Sequence, residues 1–115
     1  MISFKSFIAE AKKYKLFIDD EREPAKIKFD YISRDYNETM KIFDKHGCPS
    51  FISFDHDLGA RSKTGFDIVK DMVERDLDKK GRWIPKNFTY DVHSANPVGK
   101  KNISGLLDNY LEKRK

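Results

Sequence analysis

The sequence predicts a small α/β protein built on one mostly parallel four-stranded sheet, with three helices and a short N-terminal helix. Three observations predict it. Segments of strand and helix periodicity follow one another as strand, strand, helix, strand, helix, strand, helix, the order of a sheet whose strands are joined by crossover helices. Two strand segments, KLFI at 15–18 and FISF at 51–54, are short apolar runs of the kind that fill the middle of a parallel sheet. A length of 115 residues suffices for one domain with one core and is too short for two of ordinary size. The expected division is an N-terminal segment, 1–13, and a domain, 14–115.

Each element has its own signal. In MISFKSFIAEAKK, Phe4, Phe7, Ile8 and Ala11 recur at i, i+3, i+4, i+7 behind a Ser3 cap, the pattern of a short amphipathic helix. KLFI then runs into Asp19 and Asp20. The stretch 21–28 holds Pro24 and mixed charge and reads as a loop, and Phe29, Tyr31 and Ser33 alternate with Asp30 and Ile32 in a second strand. Asp35 with Glu38 starts a helix whose inner face is Tyr36, Met40 and Phe43, and which Gly47 and Pro49 stop. FISF ends in Asp55, His56 and Asp57. Thr64 caps the next helix with Asp67 at its third position, and Phe66, Val69, Met72, Val73 and Leu77 are expected to face inward. FTYDVHS alternates as a half-covered strand. Asn96-Pro97 then opens the last helix, with Ile103, Leu106, Leu107, Tyr110 and Leu111 as its apolar face.

Composition narrows the function. Apolar residues make 38% and charged residues 37%, and the formal charge is +4, which describes a mildly basic globular protein and excludes collagen-like and mucin-like chains. Leu16, Phe17 and Ile18 form as long an apolar run as any, far below the roughly 20 residues a membrane span needs, so no membrane partner and a cytoplasmic location are expected. The positive charge gathers near the ends, which makes nucleic acid a minor alternative as main ligand. Cys48, the single cysteine, can close no intrachain disulfide and reads as a small buried residue.

The chemistry lies where strands end. Asp19-Asp20, Asp55-His56-Asp57 and His93-Ser94-Ala95-Asn96 all follow strand segments, and a parallel sheet directs those ends to one crevice, the usual ligand position of open α/β sheets. If the first and third strands are neighbours, four carboxylates converge and repel one another, which raises their pKa values or calls for a cation. An all-oxygen acidic cluster without cysteine suits Mg²⁺ or Mn²⁺ better than zinc. Ser94, Asn96 and the first amides of the last helix would offer donors to a phosphate, and Arg22 would steady its negative charge. His93 and His56 supply groups able to exchange protons near neutral pH. His46, at a helix end, reads as structural, and Phe66, Tyr36 and Tyr90 as packing aromatics.

The segments LFIDDEREP, ISFDHDLG, TGFDIVKDM and VHSANPVGKKNI resemble, in that order, the cyclic-phosphate-processing receiver domains, themselves similar to two-component receivers. The resemblance covers about residues 15–112, and DHDLG and HSANPVG are its specific parts. It implies a truncated receiver fold of flavodoxin-like type, a divalent ion held by Asp19, Asp20 and either Asp55 or Asp57, a phosphorylated small-molecule or nucleotide ligand, and processing of cyclic phosphates. Three departures from ordinary receivers are expected: no helix between the first two strands, His93-Ser94 in place of the usual Thr/Ser-Ala, and no fifth strand with its lysine. These losses argue against phospho-aspartate signalling, and the added histidines favour hydrolysis. The N-terminus resembles the capsid-targeting peptide of internal proteins of T-even-like bacteriophages, with Ile8-Ala9-Glu10 fitting the prohead protease pattern and cleavage following Glu10. That resemblance implies packaging in the virion and delivery to the host cytoplasm.

The leading expectation is thus a divalent-metal-dependent phosphoesterase acting on a cyclic phosphate or nucleotide-derived small molecule, in phage counter-defence or on RNA ends. In it Asp19, Asp20 and Asp57 hold Mg²⁺ or Mn²⁺, Asp55 joins them or attacks phosphorus, His93 or His56 is the general acid, and Ser94, Asn96 and Arg22 bind the phosphate. The alternatives are a receiver-like domain that binds or accepts phosphate without turnover, and a phage-packaged DNA-binding protein.

Overall fold

A computed structural model describes residues 14–24, 28–59 and 63–114. The expected N-terminal helix and the Glu10 cleavage site lie outside the described residues. Four strands, β1 (Lys15–Ile18), β2 (Tyr31–Ser33), β3 (Phe51–Phe54) and β4 (Thr89–Val92), form one sheet in the order β2-β1-β3-β4, and every pairing is parallel. Three helices follow: α1 (Tyr36–His46), α2 (Gly65–Asp78) and α3 (Pro97–Arg114). This is the receiver-like α/β architecture anticipated above. Among the described residues no helix separates β1 from β2, and none is long and apolar enough to cross a membrane.

The helix starts form as their sequences direct. Asp35 caps α1 through the Glu38 amide at 2.8 Å. At α2, Thr64 and Asp67 close a reciprocal capping box that satisfies two otherwise orphaned donors. Asn96 Oδ1 accepts the Gly99 amide at 2.9 Å and caps α3. At the end of α1, Gly47 adopts φ +80° and returns its amide to the Phe43 carbonyl. A side chain there would be strained in the left-handed region.

One core joins the helices to one face of the sheet. Leu16, Ile18, Ile52, Phe54 and Val92 from the strands meet Phe43 of α1, Ile68, Val69 and Met72 of α2, and Ile103 and Leu107 of α3. The inner face of α2 differs from the expected one. Leu77 is 60% exposed, and Ile68 and Asp76 are buried instead. The helix is rotated toward its carboxylate because Asp76 ties three later segments together. It accepts the amides of Trp83 and Ile84 at 2.8 and 2.7 Å, the Tyr110 hydroxyl at 2.6 Å and Arg114 Nη1 at 3.2 Å. A fully satisfied buried carboxylate outcompetes a leucine whose burial would leave those donors unmet. The second strand also starts later than expected, at Tyr31, and Phe29 packs beside the sheet against Phe17 and Phe51.

Candidate functional site

The parallel register aligns Ile18, Phe54 and Val92 across β1, β3 and β4, so the next residues, Asp19, Asp55 and His93, stand side by side at one sheet edge. One ligand atom from each lies within 4.8 Å of the others. Two backbone hydrogen bonds continue the ladder into this row, from the Asp55 amide to the Ile18 carbonyl and from the His93 amide to the Phe54 carbonyl. The three side chains are therefore placed by sheet geometry rather than by a loop.

Asp19 is 1% exposed. Its Oδ1 accepts the Glu21 and Arg22 amides at 2.9 and 2.8 Å, and its Oδ2 faces His93 Nε2 at 2.9 Å and Arg22 Nε at 3.4 Å. Burial pushes its pKa up, but the Arg22 and Glu21 amides and the His93 imidazole outweigh that and hold the carboxyl below its ordinary value. Asp19 is an ionised, fixed acceptor. Asp55 is equally enclosed at 5% exposure, yet its carboxylate takes no hydrogen bond among the described residues. Gly65 packs so closely that a Cβ there would sit 2.3 Å from the Asp55 carbonyl oxygen, which fixes the Asp55 backbone against the start of α2.

His93 is held on three sides. Its ring stacks on Phe17, with centroids 4.7 Å apart and planes 4° from parallel. Nε2 meets Asp19, and Nδ1 lies 2.7 Å from the Ser53 hydroxyl, which donates its proton to Asp91 Oδ1 at 2.5 Å. Because Ser53 has one proton and spends it on Asp91, it can only accept from Nδ1. Asp91, Ser53, His93 and Asp19 thus form a continuous chain of hydrogen bonds.

Asp19 and Asp55 line a cavity of about 590 Å³ whose wall also includes Asp20, Arg22, Asp57 and Ala95, and His93 stands beside it through its contact with Asp19. That is the size of a site for a small ligand. Asp20 and Asp57 also line it but are not among the three residues whose ligand atoms lie within 4.8 Å of one another. Asp57, mostly exposed, bonds His56 Nδ1 at 2.9 Å and lies 3.4 Å from Asn96 Nδ2; the His56 bond, against a smaller opposing effect of burial, keeps its pKa low. His56 itself lies flat on α3, where a Cβ on Gly99 would fall 2.2 Å from its Cγ. Ser94 Oγ accepts the Asn96 amide at 3.0 Å, so the oxygens of Ser94 and Asn96 serve the start of α3. Arg22 also lines the cavity, with Nη1 3.5 Å from the His93 carbonyl.

The residue types suit a cation. A nearly buried carboxylate without a partner among the described residues, beside a second that is held ionised, leaves concentrated negative charge that a divalent ion would neutralise. Asp19 and Asp55, with Asp20 on the same cavity wall, could hold it.

Sequence reading passed over Ser53, Asp91, Gly65 and Gly99. A signal for the first two was present: alternate residues of a strand share a face, so Ser53 travels with Asp55 and Asp91 with His93. The glycines carry no such signal, because their importance comes from distant residues that crowd them.

The family model described as the cyclic-phosphate processing receiver domain matches residues 14–109. No curated protein and no solved structure matches the chain.

Proposed function

The chain belongs to the cyclic-phosphate processing receiver family, and from that premise we propose that it is a divalent-metal-dependent phosphoesterase that opens a cyclic phosphate. The observation that carries this reading is the clustering, within 4.8 Å, of an enclosed Asp55 carboxylate that has no partner among the described residues with an ionised Asp19 and a fixed His93. Asp19, Asp20 and Asp55 would hold Mg²⁺ or Mn²⁺, which would supply positive charge to polarise the phosphoryl group and acidify a water.

Opening the ring adds one water across one P–O bond. The water oxygen bonds phosphorus, the ring oxygen departs with the electron pair, and one proton must leave the water while another reaches the departing oxygen. His93 provides the second of these through Nε2, its orientation set by Phe17 stacking and by Ser53. Asp55 receives the first. Arg22, exposed and beside Asp19, is the side chain that meets non-bridging oxygens of the phosphate. His56 and Asp57 act at one remove: they fix the start of α3 against the loop after β3.

Phosphorus NMR of the protein with Mg²⁺ and a panel of cyclic mononucleotides and cyclic phosphate esters tests the reading. Ring opening that requires both the metal and Asp55 is expected; absence of any turnover that depends on the two would retire it. Asp55, enclosed and without a partner among the described residues, also favours a second reading, acceptance of a phosphoryl group at that carboxylate. Beryllofluoride separates them, since a stable adduct at Asp55 without turnover would make the domain a phosphate receiver.

A further inference from the structure

The two ends of the sheet carry opposite charge. Asp19, Asp55 and His93 follow the C-terminal ends of β1, β3 and β4. At the other end, the close of α2, the close of α3 and the approach to β4 meet around a second cavity of about 610 Å³, lined by Lys80, Pro85, Lys86, Phe88, Leu111 and Arg114. Phe88 directly precedes β4 and His93 directly follows it, so roughly 16 Å of extended chain separates this cavity from the acidic one. Its wall is fixed. The Phe88 amide returns to the Pro85 carbonyl at 3.1 Å and closes a turn with Lys86 inside it. Arg114 Nη1 bonds the Ile84 carbonyl at 2.8 Å and Asp76 at 3.2 Å, which ties the end of α3 to that turn. Gly81 adjoins from α2, where a Cβ would meet the Arg114 side chain at 3.7 Å.

Asp76 balances Arg114, so the net charge over the cavity is that of Lys80 and Lys86. Both are exposed, neither has an ion-pair partner among the described residues, and no carboxylate lines the cavity. Cations near helix C-termini are ordinary, because they complement the helix dipole. That accounts for Arg114, but not for Lys86, which belongs to no helix, nor for the backbone of Lys80. Just past the end of α2, Lys80 holds φ +56°, in the left-handed region, and among the described residues no other non-glycine has positive φ. Glycine would take that place without the steric cost. Lysine there is local strain kept for the sake of its side chain.

We propose that this cavity is a second ligand site, for a phosphate monoester carried on a planar aromatic group, a mononucleotide being one such compound. The phosphate lies between Lys80 and Lys86, whose two charges match the doubly charged monoester better than a singly charged diester. The aromatic group rests on the rings of Phe88 and Pro85 and on Leu111, flat apolar surfaces that pack well against a planar partner. A few charged groups above an apolar floor, in a cavity of this size, is the usual make-up of a small-molecule site. The site is separate from the metal cavity and stands whether or not the reaction proposed there is correct.

Amide chemical shifts of the full ¹⁵N-labelled chain, followed in EDTA at fixed ionic strength, test this with adenosine 5′-monophosphate and phenyl phosphate as probes. Saturable movement of the Gly81, Lys86 and Phe88 signals is expected with either probe, with those of Asp19, Asp55 and His93 unmoved. Adenosine and inorganic phosphate, each lacking half of the chemistry, should bind at least about tenfold more weakly, and Lys86→Gln should weaken binding of the probes about tenfold. Lys80→Gly is the sharper variant: it relieves the left-handed strain, so its melting temperature should rise while its affinity for the probes falls. Unchanged affinity in Lys80→Gly would overturn the proposal. So would inorganic phosphate binding as tightly as the two esters, which would leave the aromatic contact without a role, or movement confined to the Asp19, Asp55 and His93 signals. A single-stranded oligonucleotide that moved the Gly81, Lys86 and Phe88 signals at far lower concentration than either probe would also overturn it and make this end of the molecule a nucleic-acid surface.

Discussion

Ser53 in β3 and Asp55 just past its end sit two residues apart on one face of the sheet, and their substitutions should separate chemistry from stability. Asp55→Asn removes an enclosed negative charge that has no partner among the described residues and stands beside Asp19. Mn²⁺ binding, read by water-proton relaxation, should be lost, and the melting temperature without metal should hold or rise, because a like-charge repulsion disappears. A large fall in stability with metal binding retained would show that Asp55 is a structural acid. Ser53→Ala acts through His93 instead. It frees Nδ1 and leaves Asp91 without its donor, yet removes no group that touches the ligand. Groups that orient a functional imidazole typically contribute about 10–100-fold. The expected result is a fall of that size in kcat with KM nearly unchanged, a stability loss of only about 1 kcal/mol, and recovery in Ser53→Thr, which keeps the hydroxyl. Equal loss in Ser53→Thr would mean that packing, not the hydrogen bond, is what matters.

Among the elements, α2 is the informative one. Asp76 occupies the buried face of that helix and receives four donors from α3 and from the loop before β4. Burial pushes its pKa up, but the Tyr110 hydroxyl, the Ile84 and Trp83 amides and Arg114 prevail and hold it below the ordinary value. A carboxyl whose folded pKa is depressed stabilises the protein above its unfolded value, near 3.8, and that contribution is lost as pH falls through the folded value. Asp76→Asn should therefore cost roughly 3 kcal/mol at pH 7, since it leaves Arg114 without its counter-charge. In urea titrations the gap between the two proteins should close below about pH 4; a gap independent of pH would assign the cost to shape alone. The sequence misled here for a physical reason. Leu77 and Asp76 are adjacent on the helix, and hydropathy favours burying the leucine; only the donors of residues 83, 84, 110 and 114, far along the chain, reverse the choice. Strand ends and helix starts were legible because their signals are local: apolar runs closing on Asp19 and Asp55, Thr64 with Asp67, and Asn96 before Pro97. Within the site, the same locality exposed Asp19, Asp55 and His93 but concealed that Ser94 gives its oxygen to the Asn96 amide, and that His56 rests on Gly99.

At the scale of the whole molecule, the three clustered side chains come from three different strands, so a cation held there would bridge β1, β3 and β4 and report on global rather than local stability. Unfolding separates Asp19, Asp55 and His93 along the chain, and the unfolded state then has no comparable site. Binding to the native state alone adds about 2.7 kcal/mol at a free metal concentration of 100 times Kd. Saturating Mg²⁺ should therefore move the urea midpoint upward without changing the slope of the transition, because the surface exposed on unfolding is the same. NaCl of equal ionic strength should not reproduce the shift: it screens exposed charges, whereas Asp19 and Asp55 are both enclosed. Asp55→Asn should abolish the Mg²⁺ effect and leave any effect of NaCl intact. If Mg²⁺ and NaCl shift the midpoint alike, or if Asp55→Asn responds to Mg²⁺ as the parent does, the converging carboxylates hold no ion.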